Sequence, residues 1–305
     1  MQTEIKHEAN GKINIVFQRQ ESEVISEKRQ NVTHLRSDFR IIDEHFASFV
    51  GLDSFKRVVK EIYATTMINR KREREGLLKS KQVLHMIFSG NPGTGKTTVA
   101  RELATLYRTL HILPKGHFIE AERADLVGEY IGQTAQKTRN LVQKSLGGIL
   151  FIDEAYSLAR GGHKDFGREA IDTLVKQMED YSDQFALILA GYEREMDYFL
   201  QLNPGLRSRF PFHLTFRDYS VNQLVEIAKQ LAADMQYTFD DAAIRKLKSK
   251  LEMAQLRKER HFANGRYVRN IVENSIRKQA MRLMEERNYS LESLMTINER
   301  DITVK

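Results

Sequence analysis

Eight consecutive residues carry the clearest chemistry in this chain: Gly90, Asn91, Pro92, Gly93, Thr94, Gly95, Lys96 and Thr97 follow the apolar run Val83–Phe88 and lead into a helical pattern. Glycines at the first, fourth and sixth places let the backbone turn and bring N–H groups onto phosphate oxygens, where a side chain would block the approach. The helix that follows adds its dipole to the same spot. Lys96 is expected to reach the β and γ phosphates, the Thr97 hydroxyl to sit on Mg²⁺, and Thr98 to complete the phosphate contact. A nucleotide triphosphate is the ligand this pattern predicts.

A second constellation closes the apolar run Ile149-Leu150-Phe151-Ile152 with two adjacent acids, Asp153 and Glu154. Strand alternation sends the two carboxylates in different directions. Asp153 is suited to hold the Mg²⁺ shell through water, and Glu154 to accept a proton from the water that attacks the γ-phosphate. Binding alone would need only one of them. No Asn-Lys-x-Asp string of the kind that reads guanine is present, so adenine is the expected base and ATP the expected nucleotide.

Elements that could position these groups follow from periodicity. Apolar residues recur at helix spacing at Val99, Ala100, Leu103 and Leu106, again at Ala135, Thr138, Leu141 and Val142, and again at Ile171, Leu174, Val175 and Met178. Short strands are expected at 117–120, 149–152, 185–190 and 212–216. With the strand before the phosphate loop this gives a five-stranded parallel sheet sandwiched by helices, the α/β architecture of a P-loop NTPase, with ligands at the carboxyl ends of the strands. From Ser220 onward only helices are expected. Ser220 with Gln223 reads as a capping box, and two further helical patterns around 243–256 and 267–283 complete a small all-α lid domain. The expected organisation is a variable, mobile segment over 1–38, a large nucleotide-binding domain over 39–217 and a lid over 218–305.

Composition bounds the class without naming the function. The 305 residues include no cysteine, which excludes disulfide and thiol chemistry, and 41% are hydrophobic, enough to build sizeable cores. The formal charge of +7 is small against 48 basic and 41 acidic residues spread along the chain, so nucleic acid is not an expected partner. The basic run Arg70-Lys71-Arg72 is interleaved with Glu73 and Glu75 and reads as a solvated helix end. Without an apolar leader or a run long enough to span a bilayer, a soluble cytoplasmic protein with no membrane contact is expected.

Taken together, these segments resemble an AAA+ ATPase, of the branch that holds the red-type Rubisco activases and the stage V sporulation protein K, and the wording is nearer the sporulation member. The resemblance spans roughly residues 39–285. It is carried by Phe49-Val50-Gly51-Leu52, the phosphate loop, Gly128-Glu129-Tyr130-Ile131-Gly132, the Asp153-Glu154 strand, Ala190-Gly191-Tyr192, the segment Asn203 to Phe210, and Ala263-Asn264-Gly265-Arg266-Tyr267-Val268-Arg269. What it implies is an ATP-driven protein-remodelling motor that works as a homo-oligomeric ring, a hexamer in this class, on a protein client. Val50 and Gly51 would lie against the adenine. Arg209 would be the arginine finger inserted into a neighbour's site, worth roughly a thousandfold or more in rate. Arg207 either assists it or pairs with an acid. Arg266 matches the sensor arginine that reaches the nucleotide from the lid of the same chain. Tyr130, Ile131 and Gly132 match a pore loop that grips peptide without reading its sequence, and Arg160 to Gly167 a second pore element.

One position departs from the family pattern. Many members place Asn or Thr at the end of the fourth strand to orient the attacking water, whereas this chain offers Tyr192. A slow nucleotide switch is therefore one alternative, beside a Rubisco activase and a DNA-directed loader built on the same core. His163, His213 and His261 are isolated in sequence, so Mg²⁺ arriving with ATP is the one ion expected.

Overall fold

A computed structural model describes residues 3–7, 13–17, 39–130, 132–160, 166–257, 262–287 and 289–303. The chain divides into two compact units, Met1–Ala47 and Ser48–Lys305. In the first, β1 (Thr3–His7) pairs antiparallel with β2 (Ile13–Phe17), Thr3 opposite Phe17, and α1 covers residues 39–45. The alternating Ile13, Ile15 and Phe17 thus belong to a hairpin. The remaining positions of the segment expected to be mobile lie outside the described residues.

The second unit begins with α2 (Asp53–Arg74) and then alternates strand and helix. Its strands are β3 (Met86–Gly90), β4 (Phe118–Ala121), β5 (Ile149–Ile152), β6 (Ala186–Gly191) and β7 (Phe212–Phe216), arranged β4-β5-β6-β3-β7 with every pair parallel. Every residue of β5 and β6 is buried, which is why both read as unbroken apolar runs rather than alternating ones. Connecting them are α3 (Lys96–Thr109), the short α4 (Arg123–Leu126), α5 (Gln133–Ser145), α6 (Gly167–Asp180), α7 (Glu193–Leu202) and α8 (Pro204–Arg207). The step from β3 to β4 runs one way across the sheet and all later steps run back, so right-handed crossovers put α3 on one face and α5 and α6 on the other. Side chains follow this division. Ile87, Leu150, Ile152, Leu187 and Leu189 pack with Val142, Ile171, Leu174 and Met178, while the Phe88 ring meets Phe55 of α2 and Phe216 at 6.1 and 4.9 Å.

The lid is helical, as expected. It comprises α9 (Val221–Asp234), α10 (Asp241–Leu256), α11 (Asn264–Glu286) and α12 (Leu291–Met295). Ser220 and Gln223 form the expected capping box on α9, and the Asp240 carboxylate caps α10 by accepting from the Ala243 N–H at 2.6 Å. Leu224, Ala228, Leu247, Leu251, Val268 and Val272 form its core, where each buried leucine contributes about 2 kcal/mol. Strands do not stop entirely after Ser220: β8 (Thr238–Phe239) and β9 (Thr296–Ile297) pair in parallel, two residues each, too short to leave a periodic signal. Arg282 forks onto both oxygens of buried Asp301 at 2.9 and 3.0 Å and so ties the chain's end to α11. Among the described residues no helix is long and apolar enough to cross a membrane.

Candidate functional site

The phosphate loop joins β3 to α3 at the carboxyl edge of the sheet. Gly93 has φ +73° and Gly95, which caps α3, φ +92°, both in the left-handed region that favours glycine. A Cβ on Gly93 would also lie 2.0 Å from the Ala263 carbonyl oxygen. The Lys96 ammonium is nearly buried and donates to the Gly90 and Asn91 carbonyls at 2.8 and 2.9 Å. Burial lowers its pKa, Asp153 opposes that shift, and Arg266 adds to it. Three groups from distant parts of the sequence, Lys96, Asp153 and Arg266, therefore share one field.

They open onto a cavity of about 780 Å³. Val50, Pro92, Gly93, Gly95, Lys96, Thr97 and Thr98 line one part of it, Asp153, Glu154 and Tyr192 another, and Arg266 and Arg269 the lid side. Its size suits a nucleotide. The Asn91 amide turns away from the cavity to Asp218, and the buried Thr94 hydroxyl donates to the Asn91 carbonyl at 2.8 Å, so both side chains brace the loop from behind. Gly51 lies outside the lining, with φ +74° and Gln223 of the lid beside it. Among the described residues no group of three or more His, Asp or Glu side chains gathers to hold a metal. Thr97 and Asp153 fit a cation that takes most of its oxygens from phosphate and water.

Glu154 sits on a strained backbone, φ +45° and ψ +44°, a conformation that costs a non-glycine residue about 1–3 kcal/mol. Its N–H donates to the Asp153 carboxylate at 2.9 Å, which fixes the two acids relative to each other. Tyr156, two residues on, is buried, and its pKa is pushed up to about 12 by that burial and then by the charge of the nearby Glu154 carboxylate. The Tyr156 and Tyr192 rings lie 5.8 Å apart at 30°, and a Cβ on Gly191 would come within 2.8 Å of Tyr156. Tyr192 thus reaches the cavity as one half of an aromatic pair that flanks Glu154.

Other expected site residues stand elsewhere. Arg209 precedes β7, the strand beside β3, at the end of the strands opposite the phosphate loop, and its guanidinium binds the Glu179 carboxylate and the Gly205 carbonyl of its own chain. Arg207 is exposed. Tyr130 projects into solvent at 68% exposure, Gly132 has φ +83° and caps α5, and Ile131 lies outside the described residues. The base of that loop is held by the Gly128 N–H donating to buried Thr134 at 2.9 Å. Residues 161–165 of the second expected loop, with His163, and His261 also lie outside the described residues. Periodicity did not point to Tyr156, Asp218, Tyr219 or Arg269 as site residues. The one available signal was the closeness of Tyr156 and Arg269 to motifs already recognised.

Comparison with known proteins follows the same division of the chain. The model of the ATPase family associated with various cellular activities (AAA) matches residues 86–218, and that of the AAA lid domain matches residues 220–305. Stage V sporulation protein K of Bacillus subtilis is 53% identical over 99% of this chain and 96% of its own length. The chain belongs to the AAA ATPase family. AAA relatives at greater distance are protein CbbX of Cereibacter sphaeroides, 41% identical over 86% of this chain and 85% of its own, and the chloroplastic ribulose bisphosphate carboxylase/oxygenase activase of Cyanidioschyzon merolae, 40% identical over 90% and 96%. The AAA fold extends to the FIGL-1 AAA domain crystallised with ADP, with a TM-score of 0.55 at 18% identity, covering 84% of this chain and 81% of that one. As a member of this family the protein is an ATPase, with the sporulation and activase proteins as its relatives.

Proposed function

We propose that the protein is a protein-remodelling motor in which copies of the chain form a ring of six, ATP is split at the seams, and loops in the central pore pull on a client polypeptide. One observation carries this reading. Lys96, Asp153, Glu154 and Arg266 converge on one cavity, while Arg209, at the amino end of β7, is outside that lining and bonded to Glu179, which supports a role at another copy's nucleotide. Thr97 and Asp153 would hold Mg²⁺, which supplies charge neutralisation between the β and γ phosphates. Glu154 takes the proton of the attacking water. Lys96 holds the β and γ oxygens, and Arg266 answers the γ charge from the lid. The large domain over 39–217 and the lid over 218–305 would move against each other around the segment between β7 and α9.

The exposed Tyr130 supports a polypeptide client, since an aromatic face grips a passing chain without sequence preference. The higher identity to the sporulation protein, 53% against 40% for the activase, favours a sporulation-related client over Rubisco. Turnover per chain measured across a dilution series tests the shared seam: activity should fall with assembly, and a dilute monomer as fast as the concentrated protein overturns it. Tyr130→Ala should assemble and hydrolyse ATP yet fail to unfold a client. Normal unfolding by that variant rejects threading.

A further inference from the structure

Five consecutive carbonyls of the phosphate loop, from Gly90 to Thr94, all have donors, and the donors come from two sources. Gly90 and Asn91 are satisfied from within the motif, by Lys96 and Thr94. The next three are satisfied from beyond residue 218. The Asn264 side-chain amide donates to Pro92 at 3.4 Å, the Gly265 N–H to Gly93 at 2.9 Å, and the Tyr219 hydroxyl to Thr94 at 2.9 Å.

These donors are themselves braced. Asn264, buried at the start of α11 with φ +45°, donates to Asp218 at 2.7 Å and accepts from the Tyr219 N–H at 3.1 Å. Asp218 accepts twice from the Asn91 amide, at 3.0 and 2.9 Å. The Tyr219 carbonyl accepts from Gln255 of α10 at 2.8 Å. Hinge, lid and loop therefore form one hydrogen-bonded unit.

In a planar trans peptide the N–H points opposite to the carbonyl that precedes it. Holding the carbonyls of Pro92, Gly93 and Thr94 on Asn264, Gly265 and Tyr219 turns the N–H groups of Gly93, Thr94 and Gly95 away from those donors, and Gly93 and Gly95 line the cavity. A loop without these anchors would be free to rotate its peptide planes and present a carbonyl oxygen to a phosphate, which repels it. We propose that Asp218, Tyr219 and Asn264 are positioning residues for phosphate binding: the lid and hinge set the peptide planes of the phosphate loop, so affinity for the nucleotide's phosphates depends on how the lid is docked. By reciprocity, a bound diphosphate tightens the lid's grip on the loop. The proposal rests on residues 90–97 holding the phosphates.

The test is ADP affinity, measured with a fluorescent ADP on the full chain, with KM for ATP alongside. Tyr219→Phe removes one oxygen and keeps the ring. Asn264→Gly removes the amide but keeps the left-handed backbone. Each should weaken ADP binding by about 5-fold or more, the effect of one lost anchoring hydrogen bond, with the larger share of the loss in ATP turnover falling on KM. Hydrogen exchange in the first turn of α11 should slow when ADP binds to the unaltered protein and slow less in the variants. Lower melting temperatures with unchanged ADP affinity would make these residues merely structural and overturn the proposal. So would exchange in α11 that ignores ADP. Lys96→Ala separates the underlying reading: if it binds ADP normally, the loop itself has been misassigned.

Discussion

The cavity and the amino end of β7 treat their cations differently. In the cavity, Lys96 and Arg266 are brought together with Asp153 by the fold of a single chain and stand ready for an anion. At the amino end of β7, Arg209 is tied to Glu179 and Gly205 and is not part of the cavity's lining. A prebuilt site binds by itself, while a guanidinium spent on a neighbouring carboxylate can act only when a competing anion arrives. In the proposed ring, binding would be separate from hydrolysis, and that separation can be attacked from either side.

The largest effect is expected at Arg209. Arg209→Ala should lower turnover of the assembled protein by about a thousandfold or more while ADP affinity stays at the original value, and Arg209→Lys should not restore it, because an ammonium lacks the planar fork. A parallel loss of ADP affinity would return Arg209 to its own chain's site and end the contrast. In the cavity, Glu154→Gln should retain ATP and lose roughly a hundredfold or more in rate. Unchanged turnover rejects Glu154 as the base. Mixing these two inactive variants sharpens the comparison, since roughly a quarter of randomly formed seams would join an intact Glu154 to an intact Arg209. Activity should reappear in the mixture, and a mixture as inactive as its parts would place both groups in one chain.

A smaller change is expected from Tyr156→Phe, which keeps the aromatic pair with Tyr192 but removes a hydroxyl that lies in the field of Glu154. kcat should fall by about 3-fold or less with KM for ATP unchanged, because Glu154 loses a neighbouring group that helps to place it. An unchanged kcat would leave Tyr156 with packing alone.

The smallest effect on activity at neutral pH, though not on stability in acid, belongs to His85 at the start of β3. It lies between Phe185 and Phe210, ring centroids 5.2 and 6.0 Å away, and its Nδ1 accepts from the Leu187 N–H at 3.0 Å. Burial lowers its pKa from 6.5 to about 4. Because the unfolded chain takes up this proton first, the contribution is fully present above pH 6.5 and is lost as pH falls toward 4, in total roughly 3 kcal/mol. Denaturant midpoints of the protein and of His85→Gln, compared between pH 7 and about pH 4, should converge as acid is added. A constant gap would mean that His85 does not titrate in this range.

Much of the fold was legible because its signals are local. The strands and helices around the phosphate loop, the acid pair after β5 and the capping box of α9 each lie within a few residues of the features that announce them. Short elements escaped. The four-residue α4, capped by Glu122 and Asp125, has no room for a helical period, and β8 and β9 depend on a partner 58 residues away. In the site, Glu154 and Lys96 could be chosen from their motifs, yet nothing in the string DEAY reveals that Tyr156 folds back onto Glu154 and meets Tyr192.

The sequence by itself determined what can bind and what can react: a glycine-rich turn before a helix for phosphates, a pair of acids at a strand end, and arginines at spacings that match a known family. Tertiary structure alone decided which of these groups meet. Tyr219 reaches Thr94 across 125 residues and Asn264 reaches Pro92 across 172, while Arg209 is turned to Glu179 rather than to the cavity. The physical reason is range. Backbone preferences and side-chain periodicity act over a few residues, whereas the direction of a hydrogen bond between distant segments is set by how packed layers close on each other, and no local pattern encodes that angle.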